Sequence, residues 1–107
     1  MAFQLGSTLL DACVLAVISQ GDAYGYSLTQ SVRQVLDISE STLYPVLRRL
    51  QKEECLSTYD QPHQGRNRRY YTITSKGREK LKEYQSEWES YKKQIDLLLL
   101  GGESNES

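Results

Sequence analysis

A chain of 107 residues can bury one modest core and no second, so burial shared with another copy would help it. Cys13 and Cys55 lie far apart with no CxxC or Cys/His spacing, which points away from a zinc site and from a disulfide framework. The formal charge is only −1, yet the stretch from Arg48 to Lys82 carries ten Lys/Arg against four acids, a segregated cationic patch that can meet phosphates without making the whole molecule basic.

The longest apolar run falls far short of a bilayer span, and the N-terminus lacks a basic region followed by a small-residue cleavage site. A soluble, cytoplasmic protein with no membrane partner is expected. Leu5 to Ser19 is densely apolar, and Leu9, Leu10, Cys13, Val14, Val17 and Ile18 at helical offsets predict a core helix capped by Ser7 or Thr8. Cys13 reads as packing. Gln20-Gly21-Asp22 closes that helix. A second helix is expected from about Ala23 to Leu36, with Leu28, Val32, Val35 and Leu36 inward, and with Gly25, between Tyr24 and Tyr26, admitting another segment.

Ser39 is a good N-cap for the next stretch, Ser39 to Lys52. At 100° per residue, Leu43, Val46, Leu47 and Leu50 form one stripe, while Ser41, Tyr44, Pro45, Arg48 and Lys52 share the opposite side. Small hydroxyls, a phenol and cations suit a helix laid against phosphates and base edges. Helix, short turn and helix in succession make a helix-turn-helix pattern, with this stretch as its recognition helix. Pro45 deletes one helical hydrogen bond; an irregular first turn, with Ser41 as the effective cap, would lessen that cost.

Leu56 to Tyr59 and Arg69 to Ile73 read as two short strands. The polar tip between them, Asp60 to Arg68, holds the turn formers Pro62, Gly65 and Asn67 and the cations Arg66 and Arg68. A basic-tipped hairpin after a recognition helix is a wing, and Arg66, Arg68 and also Arg69 are placed to touch the sugar-phosphate backbone or a minor groove. His63 lies in the tip without partners at ligand spacing, so no metal is expected. No nucleophile, base and orienting group form a set, and no phosphate-cradling or dinucleotide loop occurs. Neither an enzyme nor a cofactor is expected.

Thr74 can cap a final helix from Ser75 to about Leu100, roughly 39 Å long. Leu81, Tyr84, Trp88, Tyr91, Ile95 and Leu98 repeat there in alternating steps of three and four, the pattern of a helical seam. So long a stripe predicts pairing with a second copy across a two-fold axis, supported by the first helix. The whole is expected to be mainly α with a small β-hairpin. Residues 1–74 form the winged helix-turn-helix, 75–100 the dimerisation helix and 101–107 a disordered tail.

AYGYSL (23 to 28), STLYPVLRRL (41 to 50) and RRYYTITSKG (68 to 77) together resemble the signature blocks of the PadR family of bacterial transcriptional regulators, in its shorter subgroup with a single C-terminal helix. The resemblance implies a homodimeric winged helix-turn-helix repressor on a palindromic double-stranded operator, with DNA-reading positions at Ser41, Thr42, Tyr44 and Arg48 or Arg49 and the wing at Arg66 and Arg68. In multidrug-sensing relatives a tryptophan of the last helix lines a pore for flat aromatic compounds, and Trp88 matches it. An ordinary dimer-interface aromatic is the other account of Trp88; Glu87 and Glu89 beside it would favour a cationic effector.

The function expected is a sequence-specific DNA-binding repressor relieved by a small-molecule inducer. Ser41, Thr42 and Tyr44 would meet base edges, Arg48 a guanine or phosphate, and Arg49, Lys52, Arg66 and Arg68 phosphates. Leu81, Tyr84, Trp88, Tyr91 and Ile95 would form the dimer seam. The alternatives are a winged-helix module docking an acidic protein, or a small-molecule carrier built around Trp88.

Overall fold

Apolar side chains on successive turns give α1 (Ser7–Ser19) a face that buries Leu10, Val14, Leu15 and Ile18. The computed structural model describes residues 7–101; Leu5 and the tail beyond Gly101 lie outside the described residues. Leu15, fully buried, belongs to the core, whereas Leu9, Cys13 and Val17 are only partly covered. Backbone bonds from Gln20 to Val17 (3.2 Å) and from Gly21 to Ile18 (3.1 Å) close the helix.

The second helix is shorter than its sequence pattern suggests. Ala23–Tyr24 form a short strand, β1, paired antiparallel with Tyr70 and Tyr71. Tyr24 is extended (φ −93°, ψ 162°), so α2 (Gly25–Arg33) starts two residues late. The sheet supplies the Tyr24 backbone with partners, which outweighs extending the helix. At the other end, the Val35 and Leu36 amides both turn back to the Val32 carbonyl. That tightened turn swings Val35 outward, 80% exposed, and leaves Leu36 half-buried.

α3 (Glu40–Lys52) is capped by Ser39, whose hydroxyl accepts from the Thr42 amide; Ser41 is not the cap. Pro45 lies within the helix on an exposed face, where water can serve the carbonyl it leaves unpaired. Leu43, Val46, Leu47 and Leu50 are buried, as the stripe predicts. Glu54 takes a left-handed φ of 67°, and the Cys55 amide bonds the Leu50 carbonyl while the Glu54 amide bonds Gln51, a Schellman ending.

β2 (Leu56–His63) and β3 (Arg66–Ile73) pair from Leu56↔Ile73 out to His63↔Arg66. The sheet order is β1-β3-β2. The turn is only Gln64-Gly65, both at positive φ (53° and 80°), so the expected nine-residue tip is mostly strand. Pro62 pairs with Asn67 on the edge strand, where proline is tolerated.

Thr74 joins the hairpin to α4 (Ser75–Leu100). Its hydroxyl accepts from the Gly77 amide (3.0 Å) and donates to the Glu54 carbonyl (2.7 Å), tying the start of α4 to the end of α3. Gly101, at φ 77°, caps the far end. Only Gly77 and Leu81 of α4 are buried; Tyr84 still packs on the core and the later turns extend away, giving a body 59 × 26 × 21 Å.

Candidate nucleic-acid interface

On α3 the cap aligns a small hydroxyl cluster. Ser39 Oγ lies 2.8 Å from Ser41 Oγ and 3.2 Å from Thr42 Oγ1. Ser41, Thr42, Arg48 and Lys52 are exposed along one side. Tyr44 is half-buried because its ring lies over Gly25, where a Cβ would sit 3.1 Å from the phenol oxygen. That is the close approach Gly25 was expected to admit, and it holds the Tyr44 ring against α2.

Arg49 departs from the expectation. Its Nη2 donates to Asp11 Oδ1 at 2.7 Å and its Nη1 to Asp11 Oδ2 at 2.9 Å, with Glu53 4.0 Å away. The hydrogen bond to Asp11 is the main cause that raises the guanidinium's pKa. Both arms of its fork are thus engaged within the chain, which leaves a phosphate to Arg48 and Lys52. Asp11 is buried at 5% exposure, and only its place in an apolar helix could have marked it.

In the hairpin, alternation puts Arg66, Arg68 and Tyr70 on one face and Arg69 on the other. The Arg68 guanidinium carbon sits 4.1 Å from the Tyr24 ring centre, a cation–π contact. Tyr70 meets Tyr24 edge-on at 5.8 Å and stacks on Tyr59 at 5.5 Å. The Tyr59 hydroxyl donates to Asp22 (2.7 Å), which pushes its pKa up. Arg68 therefore stands on an aromatic row built from β1, β2 and β3, while Arg69 reaches Asp60 at 3.7 Å. Arg66 at the tip is exposed. No local signal in the sequence gives Tyr24 a bearing on the wing, since that depends on the β1 pairing.

The expected seam divides. Leu81 is a core residue of its own chain, and Tyr84 packs against the same core. Both also line the groove beside α1, so these two positions serve the chain's own core whatever else they meet. Trp88, Tyr91, Ile95 and Leu98 continue the stripe outward; the Trp88 and Tyr91 rings lie 6.2 Å apart, and Leu98 is 81% exposed. Between α1, the end of α2 and α4 lies an apolar groove of about 390 Å³, lined by Leu9, Ala12, Cys13, Ala16, Val35, Leu36, Leu81, Tyr84, Gln85 and Trp88. Burial pushes the Cys13 thiol up, which suits packing rather than reactivity.

Tyr84 is pushed up to about 12, first by burial and then by the charges of Asp11 and Glu53. Its neutral phenol is favoured in the folded chain. Stability is therefore expected to hold below about pH 10, the ordinary tyrosine value, and to fall as pH rises towards 12. Tyr84→Phe should blunt that alkaline loss in melts recorded across the window; an unchanged pH profile would contradict it.

Among the described residues no group of His, Cys, Asp or Glu is arranged to hold a metal ion, and no helix is long and apolar enough to cross a membrane. A helix-turn-helix followed by a cation-bearing hairpin defines a winged-helix protein. The family model described as the transcriptional regulator PadR-like family matches residues 14–83, and the chain belongs to that family, whose members are transcriptional regulators rather than enzymes. It is similar to smu.1704 from Streptococcus mutans UA159 (40% identity, TM-score 0.86, covering 99% of this chain and 100% of that one). A PadR-like transcriptional regulator from Bacillus cereus is 36% identical (TM-score 0.80, 89% and 94% covered). The fold is also that of Bacillus subtilis PadR, solved in complex with operator DNA (22% identity, TM-score 0.66, 72% of this chain and 46% of that one).

Proposed function

We propose that the chain acts in the cytoplasm as a homodimeric repressor that reads a palindromic operator. The observation that carries this is the exposed row Ser41, Thr42, Arg48 and Lys52 on a capped helix, followed by a wing whose cations include the braced Arg68. In this reading residues 1–74 are the DNA-binding unit and 75–100 the dimerisation helix. Two copies of α3 enter successive major grooves about 34 Å apart. Ser41 and Thr42 meet base edges, the half-buried Tyr44 ring, its hydroxyl turned to Gly25, offers its open side to a thymine methyl, Arg48 forks onto guanine or phosphate, and Lys52, Arg66 and Arg68 hold the backbone. The Bacillus subtilis relative solved with operator DNA lends the partner class support.

The test is selection from a random duplex pool followed by titration at several salt concentrations. A preferred site with affinity falling steeply as salt rises is expected; weak, site-indifferent binding would favour docking to an acidic protein. Arg48→Ala should cost about 1 to 3 kcal/mol and relax discrimination at one base pair, and unchanged affinity and site ranking would remove Arg48 from the interface. The apolar groove ending at Trp88 supports the further reading that a flat aromatic effector relieves repression. Planar cations should then quench Trp88 and weaken operator binding together; quenching alone would favour a carrier.

A further inference from the structure

α1, α3 and α4 meet around one buried carboxylate. Asp11 projects from α1 between the core residue Leu10 and the groove residues Ala12 and Cys13. It takes both arms of Arg49 on α3 at 2.7 and 2.9 Å. Tyr84 of α4 lies close enough that Asp11, Glu53 and Arg49 all act on its titration. Stability alone accounts poorly for such a group: the Asp11 side chain is 7% exposed and Arg49 40%, so the carboxylate bears a desolvation cost that a partly solvated partner repays only in part. What the pair adds is direction. Leucine and valine contacts between helices tolerate small slides, whereas a two-pronged guanidinium–carboxylate fork fixes both distance and angle.

We propose that Asp11 is a positioning residue: through Arg49 it fixes the angle of α3 against the α1 and α4 frame, and so sets the half-site separation that the dimer accepts. This rests on the DNA-reading function proposed above. Arg48 is the neighbour of Arg49 on α3. A small rotation of that helix moves Arg48 away from its base in both subunits at once, in opposite directions along the duplex. The strut lies on the flank of α3, one step round the helix from Arg48, with both arms of Arg49 taken up by Asp11, so removing it alters which spacing fits and leaves the count of phosphate contacts unchanged.

The experiment uses the operator selected by the wild-type protein, together with versions whose central spacer is one base pair longer or shorter. Asp11→Asn, Arg49→Lys and the amide pair Asp11→Asn/Arg49→Gln are compared with wild type, with melts to establish folding. The expected result is a loss of spacing preference of roughly ten-fold, about 1.4 kcal/mol, with the slope of affinity against salt unaltered. A salt slope reduced by about one phosphate in the Arg49 variants, with spacing preference intact, would overturn the strut and return Arg49 to the DNA face. The amide pair leaves no charge unpaired and, Gln being too short for the Nη contacts, removes the fork, so it keeps the test decisive where a single variant unfolds; wild-type spacing preference in that folded double variant also overturns the proposal. If wild type itself prefers no site over bulk DNA, the DNA-reading function fails first and the strut falls with it.

Discussion

Glutamates in place of Ile95 and Leu98 are expected to leave the protein monomeric and to weaken operator binding by about 10²- to 10⁴-fold, the gain that linking two binding modules supplies. Both residues lie on the part of α4 that runs beyond the body of the chain, and neither belongs to its core. Leu97, Leu98, Leu99 and Leu100 are each more than 60% exposed, apolar surface of the kind that marks an interaction site. Two carboxylates facing two more across a dyad would combine lost burial with like-charge repulsion. Sedimentation of the double variant should show one chain, with its melting curve barely moved. A persisting dimer would show that the copies meet elsewhere.

Gly77→Ala is expected to destabilise the fold by about 3 kcal/mol, at the upper end of overpacking costs. The sign is informative, because the same change in an open helix stabilises by up to about 1 kcal/mol. Here the new Cβ would overlap the Cys55 carbonyl oxygen and lie 2.8 Å from Ile73 Cγ1. The first of these is backbone and cannot swing aside. Denaturant melts measure the effect, and a variant more stable than wild type would mean that α4 does not start against the end of α3.

Two features of the interface were legible because they depend only on period and chemistry. The α3 stripe places Leu43 and Leu47 inward and Arg48 outward by rotation alone, and Thr74 marks the start of α4 by its capping habit. Features that need a partner distant in sequence were not. Arg49 is one step round the helix from Arg48, at the margin of the buried stripe, and nothing local shows that Asp11, 38 positions earlier, closes on it. Likewise Leu81 satisfies a seam repeat and a core equally well, and only the packing of α1 decides for the core. Pro62 and Asn67, as turn formers, make the hairpin look shorter in sequence than it is; with Gln64 at positive φ beside Gly65, the chain reverses in two residues and both become strand.

That compact reversal makes the reach of the wing a stepped quantity. With residues matched one to one from Leu56↔Ile73 to His63↔Arg66, a single inserted residue would turn every outer side chain, Arg68 included, to the opposite face. Two residues added to each strand would instead carry the tip about 7 Å further with all orientations kept. Relatives that track a wider or narrower duplex groove are therefore expected to differ here by even increments in each strand.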